Sequence, residues 1–76
     1  MATADPILPS RYAAFFQTLI VRGEWGITEV EYLARQHGHM LSGALEALNE
    51  WAFDKYGGQL FVEDGERVVV EKQRLS

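Results

Sequence analysis

Asp64-Gly65 stands between two runs of β-favouring residues, 59–63 and 66–71, and is one of the dipeptides preferred in two-residue hairpin loops. That hairpin constrains everything else, because two strands alone are at best marginally stable in water and need a face to pack on. With Asp64-Gly65 as the loop, Glu63 faces Glu66, Val62 faces Arg67, Phe61 faces Val68 and Leu60 faces Val69. The remaining residues must supply an apolar face without covalent help, since the 76 residues include no cysteine. At 47% hydrophobic they can do so, and the length allows one small domain and no second one.

Three helices are expected upstream of the hairpin. Ser10 caps a first one over about residues 10–22, in which Tyr12, Phe15, Phe16, Leu19 and Ile20 fall at the spacing of a buried stripe. Gly23 suits a left-handed C-terminal cap. Trp25-Gly26-Ile27 is too short for a helix and reads as a one-bridge strand. Thr28-Glu29-Val30-Glu31 has the form of a capping box, with Ile27 stapling onto Tyr32, and opens a second helix that buries Val30, Leu33 and Ala34 and ends at Gly38. Ser42 caps a third helix over about residues 43–56, stopped by Gly57-Gly58. So short a turn between the last two makes a helix-turn-helix.

The result is an α+β domain of winged-helix-like order, three helices followed by a C-terminal β-hairpin wing. Residues 1–9, with two prolines and no apolar period, read as a flexible lead-in outside the core, and residues 10–76 as the single domain. Tyr12, Phe15, Leu19, Leu33, Leu48 and Ala52 are expected to meet in one cluster.

Charge narrows the function. The net −4 is concentrated in residues 46–66, which hold one Lys against six acids, whereas residues 67–76 hold three basic residues against one acid. Such a field repels phosphate backbones and attracts cations and basic protein surfaces, so nucleic acid is not the expected partner. No apolar run approaches the ~18 residues of a membrane span, so no membrane insertion is expected, and a cysteine-free chain without a signal peptide points to the cytoplasm.

Two acidic groups stand out. Glu46, Glu50 and Asp54 fall at about 0°, 40° and 80° on the wheel of the third helix, a ribbon of carboxylates along one face. A solvated helix face accounts for such a ribbon, as does a functional acidic surface. Glu63, Asp64 and Glu66 crowd the hairpin tip, where Glu63 opposite Glu66 would be a like-charge pair that weakens the ladder. Carboxylates close together suit hard divalent cations such as calcium, which makes these six residues candidate metal ligands against the alternative of a solvated tip. His37 and His39 offer two imidazoles at a helix end, short of the four ligands of a zinc site. Phe53 lies beside the acids at about 340° and Trp51 at their other edge; the wing is expected to cover Phe53, the other reading being a partner surface of Glu50, Trp51, Phe53 and Asp54. No nucleophile, base and orienting group are suggested together, so no enzyme is expected.

The stretch Gly43-Ala44-Leu45-Glu46-Ala47-Leu48-Asn49-Glu50-Trp51-Ala52-Phe53-Asp54, followed by Gly57, Leu60 and Glu63-Asp64-Gly65, closely resembles the TerB C-terminal domain family of bacterial tellurite-resistance-type proteins. Weaker similarity over residues 25–41 extends the resemblance to most of the chain beyond the lead-in. The family pattern falls on Glu46, Asn49, Glu50, Trp51, Asp54, Glu63 and Asp64. The resemblance implies a non-enzymatic accessory module at the C-terminal end of a larger TerB-containing protein, linked to stress and tellurite response, whose partners are the other domains of that protein or another protein. It also implies divalent-metal chelation as an alternative, while a DNA-binding winged helix is suggested by topology alone. The family commonly places an acid before the glycine matched by Gly43; this chain has Ser42, which removes one candidate ligand.

Overall fold

The computed structural model describes residues 7–75, which form three helices and a three-stranded antiparallel sheet, an α+β arrangement. Pro9 sets the entry: its carbonyl accepts the Tyr12 N–H at 3.0 Å and closes a 3-10 turn, Ser10–Tyr12, that runs into α1 (Ala13–Leu19). Ser10 therefore lies inside the turn, and Pro9 takes the cap position expected for it. Residues 1–6 of the expected lead-in lie outside the described residues, and Leu8 packs against the core.

Helix α1 is shorter than its apolar period suggests. It stops at Leu19, and Gly23 does not adopt the left-handed conformation expected of it, because the chain turns into strand β1 (Glu24–Gly26) instead. Trp25 fastens this junction: its indole Nε1 donates at 2.9 Å to the Leu19 carbonyl at the helix end, which also accepts the Arg22 N–H at 3.4 Å. The Arg22 guanidinium covers the indole at 4.2 Å from the ring centre and binds both carboxylate oxygens of Glu29, at 2.8 and 3.1 Å.

Helix α2 (Ile27–Gln36) begins earlier than the Thr28 capping box predicts. Gly26 is its cap residue, and Glu29 Oε1 accepts the Gly26 N–H at 3.3 Å, so the carboxylate half of a box forms two residues upstream of the expected one. The hydrogen bond from Arg22, and then that from Gly26, hold the Glu29 carboxyl below its ordinary range. Tyr32, on which Ile27 is expected to staple, is 64% exposed, and Ile27 itself packs against the core. The exit does follow the sequence. Gly38 takes φ +78°, His39 N–H donates to the Ala34 carbonyl and Gly38 N–H to that of Arg35, the paired bonds of a Schellman motif. Helix α3 (Leu41–Tyr56) starts with Met40 at the cap position, which leaves Ser42 inside the helix, and ends at Gly57 with φ +83°.

Strands β2 (Phe61–Asp64) and β3 (Arg67–Val70) form the hairpin, and β1 pairs with the other side of β3, giving the order β1-β3-β2. The register differs from the one expected by two residues. Phe61 faces Val70, Val62 faces Val69, Glu63 faces Val68 and Asp64 faces Arg67, so the loop is Gly65-Glu66. Gly65 alone carries a positive φ, at +65°, which suits the first central position of a II′ turn. A slip of two leaves every side chain on its expected face, where a slip of one would have inverted them all. It also removes the Glu63–Glu66 pair, and Arg67 instead reaches Glu24 on β1 at 3.1 Å.

Phe15, Leu19, Val30, Leu48, Leu60 and Val68 lose all exposure in the core that joins the helices to one face of this sheet. Tyr12 and Leu33, expected inside, pack against it half-buried. No helix among the described residues is long and apolar enough to cross a membrane. Leu48→Ala should cost about 2–5 kcal/mol, much of the stability of so small a domain; urea denaturation will measure it, and an unchanged midpoint would place the core elsewhere.

Candidate functional site

The outer face of α3 is assembled by what its inner face must do. Ala44, Leu45, Leu48 and Ala52 are buried, which turns Glu46, Glu50 and Asp54 outward, one turn apart, as a continuous carboxylate ribbon. Among the described residues no cation pairs with any of them; the two ion pairs present are Arg22–Glu29 and Arg67–Glu24. Lys55, the one basic residue of α3, lies with its Nζ 5.9 Å from the Tyr56 ring centre.

The ribbon is a ridge between two shallow grooves. On one side Ile7, Pro9, Gly43, Ala47 and Trp51 join the acids around a volume of about 350 Å³. On the other Asn49, Phe53 and Gln59 do so around about 330 Å³. Phe53 is 61% exposed, so the wing does not cover it as expected. The hairpin buries Leu60 and Phe61 beside Leu48, and Phe53 lies outside that line. Trp51 is half-buried, with Phe16 and Tyr56 meeting it edge-on at 5.2 and 5.8 Å between ring centres.

The six acids named as candidate ligands do not gather in one place. Glu63 lines a separate groove with Glu31, Arg35, His39 and Ser42, while Asp64 and Glu66 flank Gly65 at the exposed hairpin tip. Among the described residues no group of three or more His, Asp or Glu side chains is arranged to hold a metal ion. The like-charge pair that singled out the tip is absent from the observed register. His37 and His39 stack on each other at 6.3 Å, and His39 also packs on Tyr12 at 4.7 Å, so both imidazoles serve the packing of α1 against the α2–α3 turn. Among the described residues, His39 Nε2 is buried without a hydrogen-bond partner.

Asn49 has a role that its place in the family pattern does not reveal. Its Nδ2 donates to the Phe61 carbonyl at 2.8 Å, and its Oδ1 accepts the N–H groups of Phe61 and Leu60 at 2.9 and 3.1 Å. One side-chain amide thus pairs with the outer edge of β2 as a neighbouring strand would. The available signal is an Asn in the interior of a helix beside the apolar face, where the residue is intrinsically unfavourable unless a tertiary partner holds it.

Comparison with known proteins identifies the family. The family model of the TerB-C domain matches residues 2–76, and the chain belongs to that family. The match takes in almost all of the segment read from the sequence as a lead-in. No curated protein and no solved structure matches the chain.

Asn49→Ala leaves two N–H groups and one carbonyl at the β2 edge without their partner. It is expected to cost about 1–3 kcal/mol in urea denaturation, whereas Glu50→Ala, one position on, should stay within about 0.5 kcal/mol.

Proposed function

We propose that this TerB-C domain is a non-enzymatic accessory module of a TerB-type tellurite-resistance or stress-response protein, docking through the outer face of α3 onto a basic surface of that protein or of a cytoplasmic partner. The observation that carries the reading is the Glu46–Glu50–Asp54 ribbon, unpaired among the described residues and bordered by exposed Phe53. Carboxylates in that arrangement attract a basic surface over several ångströms, and the aromatic beside them gives short-range adhesion. Glu50, Phe53 and Asp54 make the contact, with Trp51 forming the wall of the adjoining groove.

The DNA-binding alternative asks the same helix to approach phosphates with three acids and one lysine, which is the wrong sign. The cation alternative draws no support from six carboxylates divided between a helix face, a second groove and a turn tip.

Association in trans between this chain and the remainder of its parent protein tests the docking reading. Glu50→Gln with Asp54→Asn should slow association and remove most of its salt dependence, while the domain's own stability changes by no more than about 0.5 kcal/mol. Unchanged association kinetics in the double variant would overturn it.

Calcium decides the alternative. A bound cation would stabilise the fold by about 2.7 kcal/mol at a hundredfold excess over Kd. Millimolar calcium is expected to leave the melting temperatures of the natural sequence and the double variant shifted equally, and a larger shift in the natural sequence would establish the metal site.

A further inference from the structure

We infer that the occupant of this face is an amphipathic helix, with Lys or Arg repeated at every fourth position and an apolar side chain beside that row to cover Phe53. The inference rests on the docking reading above and specifies the form of the partner. Glu46, Glu50 and Asp54 are related as i, i+4 and i+8, so they make one ridge along the direction that governs helix packing, spanning about 12 Å at 1.5 Å per residue. A groove of similar volume runs along each side of it, about 350 and 330 Å³. Ridge and paired furrows of this kind receive the side-chain rows of a second helix.

The floor of the first groove allows a close approach. Gly43 and Ala47 are one turn apart, and a Cβ added to Gly43 would meet nothing within 4 Å. Apolar anchors bracket the ridge, with Ile7 82% exposed at one side and Phe53 61% exposed at the other. A partner whose basic groups sit one turn apart would face one carboxylate with each. It would thereby supply the counter-charges that the ribbon lacks among the described residues.

A partner arriving as a β-strand finds less to pair with. In the β2–β3 ladder the backbone groups of Phe61 point to the free edge, and Asn49 occupies both. At the other edge of the sheet the Gly26 N–H is taken by Glu29. A helix satisfies its own backbone and needs from this chain only a ridge, grooves and charge, all of which α3 presents.

The test uses three probes against the 76-residue chain: a synthetic helical peptide with Lys at i, i+4 and i+8 and Leu flanking the row, a peptide of identical composition with the same residues permuted around the helix, and an oligolysine of equal charge. Binding is followed by calorimetry and by backbone amide shifts. The patterned peptide should bind roughly tenfold more tightly than either control, with shifts centred on Glu46, Glu50, Phe53 and Asp54. Phe53→Ser, at an exposed position, should remove most of that preference while the remaining amide spectrum stays in place. Equal binding of all three probes to this face would overturn the helical partner and leave the acidic docking surface standing. Binding by none of them, or shifts on another face, would remove both.

Discussion

Three hydrogen bonds at the Asn49 side chain, one donated and two accepted, fix how the sheet sits on α3. The amide reaches from that helix to the edge of β2, and it holds Leu60 and Phe61 where their side chains enter the core beside Leu48. Its position also sets the rotation of the helix about its axis. With Asn49 facing β2, and Leu48 and Ala52 facing the interior, the residues about 60–140° further round the wheel are exposed, and Glu46, Glu50 and Asp54 are among them. The interaction that seats the hairpin therefore also presents the carboxylates.

The same economy closes the sheet. A three-stranded sheet in a small domain has two exposed edges, each a template for pairing with another chain. Here side chains from the two neighbouring helices fill part of both, Asn49 on β2 and Glu29 on β1. The carboxylate face of α3 lies apart from both edges, and charge governs what approaches it. Trp25 and the two histidines contribute to order away from that surface: Trp25 ties the end of α1 to β1, and His37 and His39 fill the space between α1 and the α2–α3 turn with stacked rings.

Glu46, Glu50 and Asp54 could be read as one face from spacing alone, because helical geometry fixes the angle between positions four apart whatever surrounds them. The fate of Phe53 could not. Whether an aromatic beside an acidic ribbon is covered depends on where the hairpin lands, and that is set by Asn49 and by the packing of Leu60 and Phe61. Glu63 and Glu66 show the same limit in the strand. Their apparent opposition followed from placing Asp64-Gly65 in the loop, and the observed loop, Gly65-Glu66, separates them. Both loops are two residues long and contain the same glycine, so local sequence favours neither strongly; pairing of β3 with β1 on its other side, with Arg67 reaching Glu24, accompanies the one observed.

By itself, then, the sequence determined the order of elements, the buried stripes of α1, α2 and α3, the left-handed glycines at 38 and 57, and the outward direction of the acids on α3. All of these follow from periodicity and from backbone conformations that few residues adopt. Helix starts at Pro9, Gly26 and Met40 instead of Ser10, Thr28 and Ser42, the two-residue shift of the hairpin, the clamp made by Asn49 and the exposure of Phe53 were decided by the tertiary structure. The hairpin shift, the Asn49 clamp and the exposure of Phe53 involve partners distant in the chain, and a turn dipeptide worth about 1 kcal/mol yields when a buried strand or a paired sheet edge contributes more.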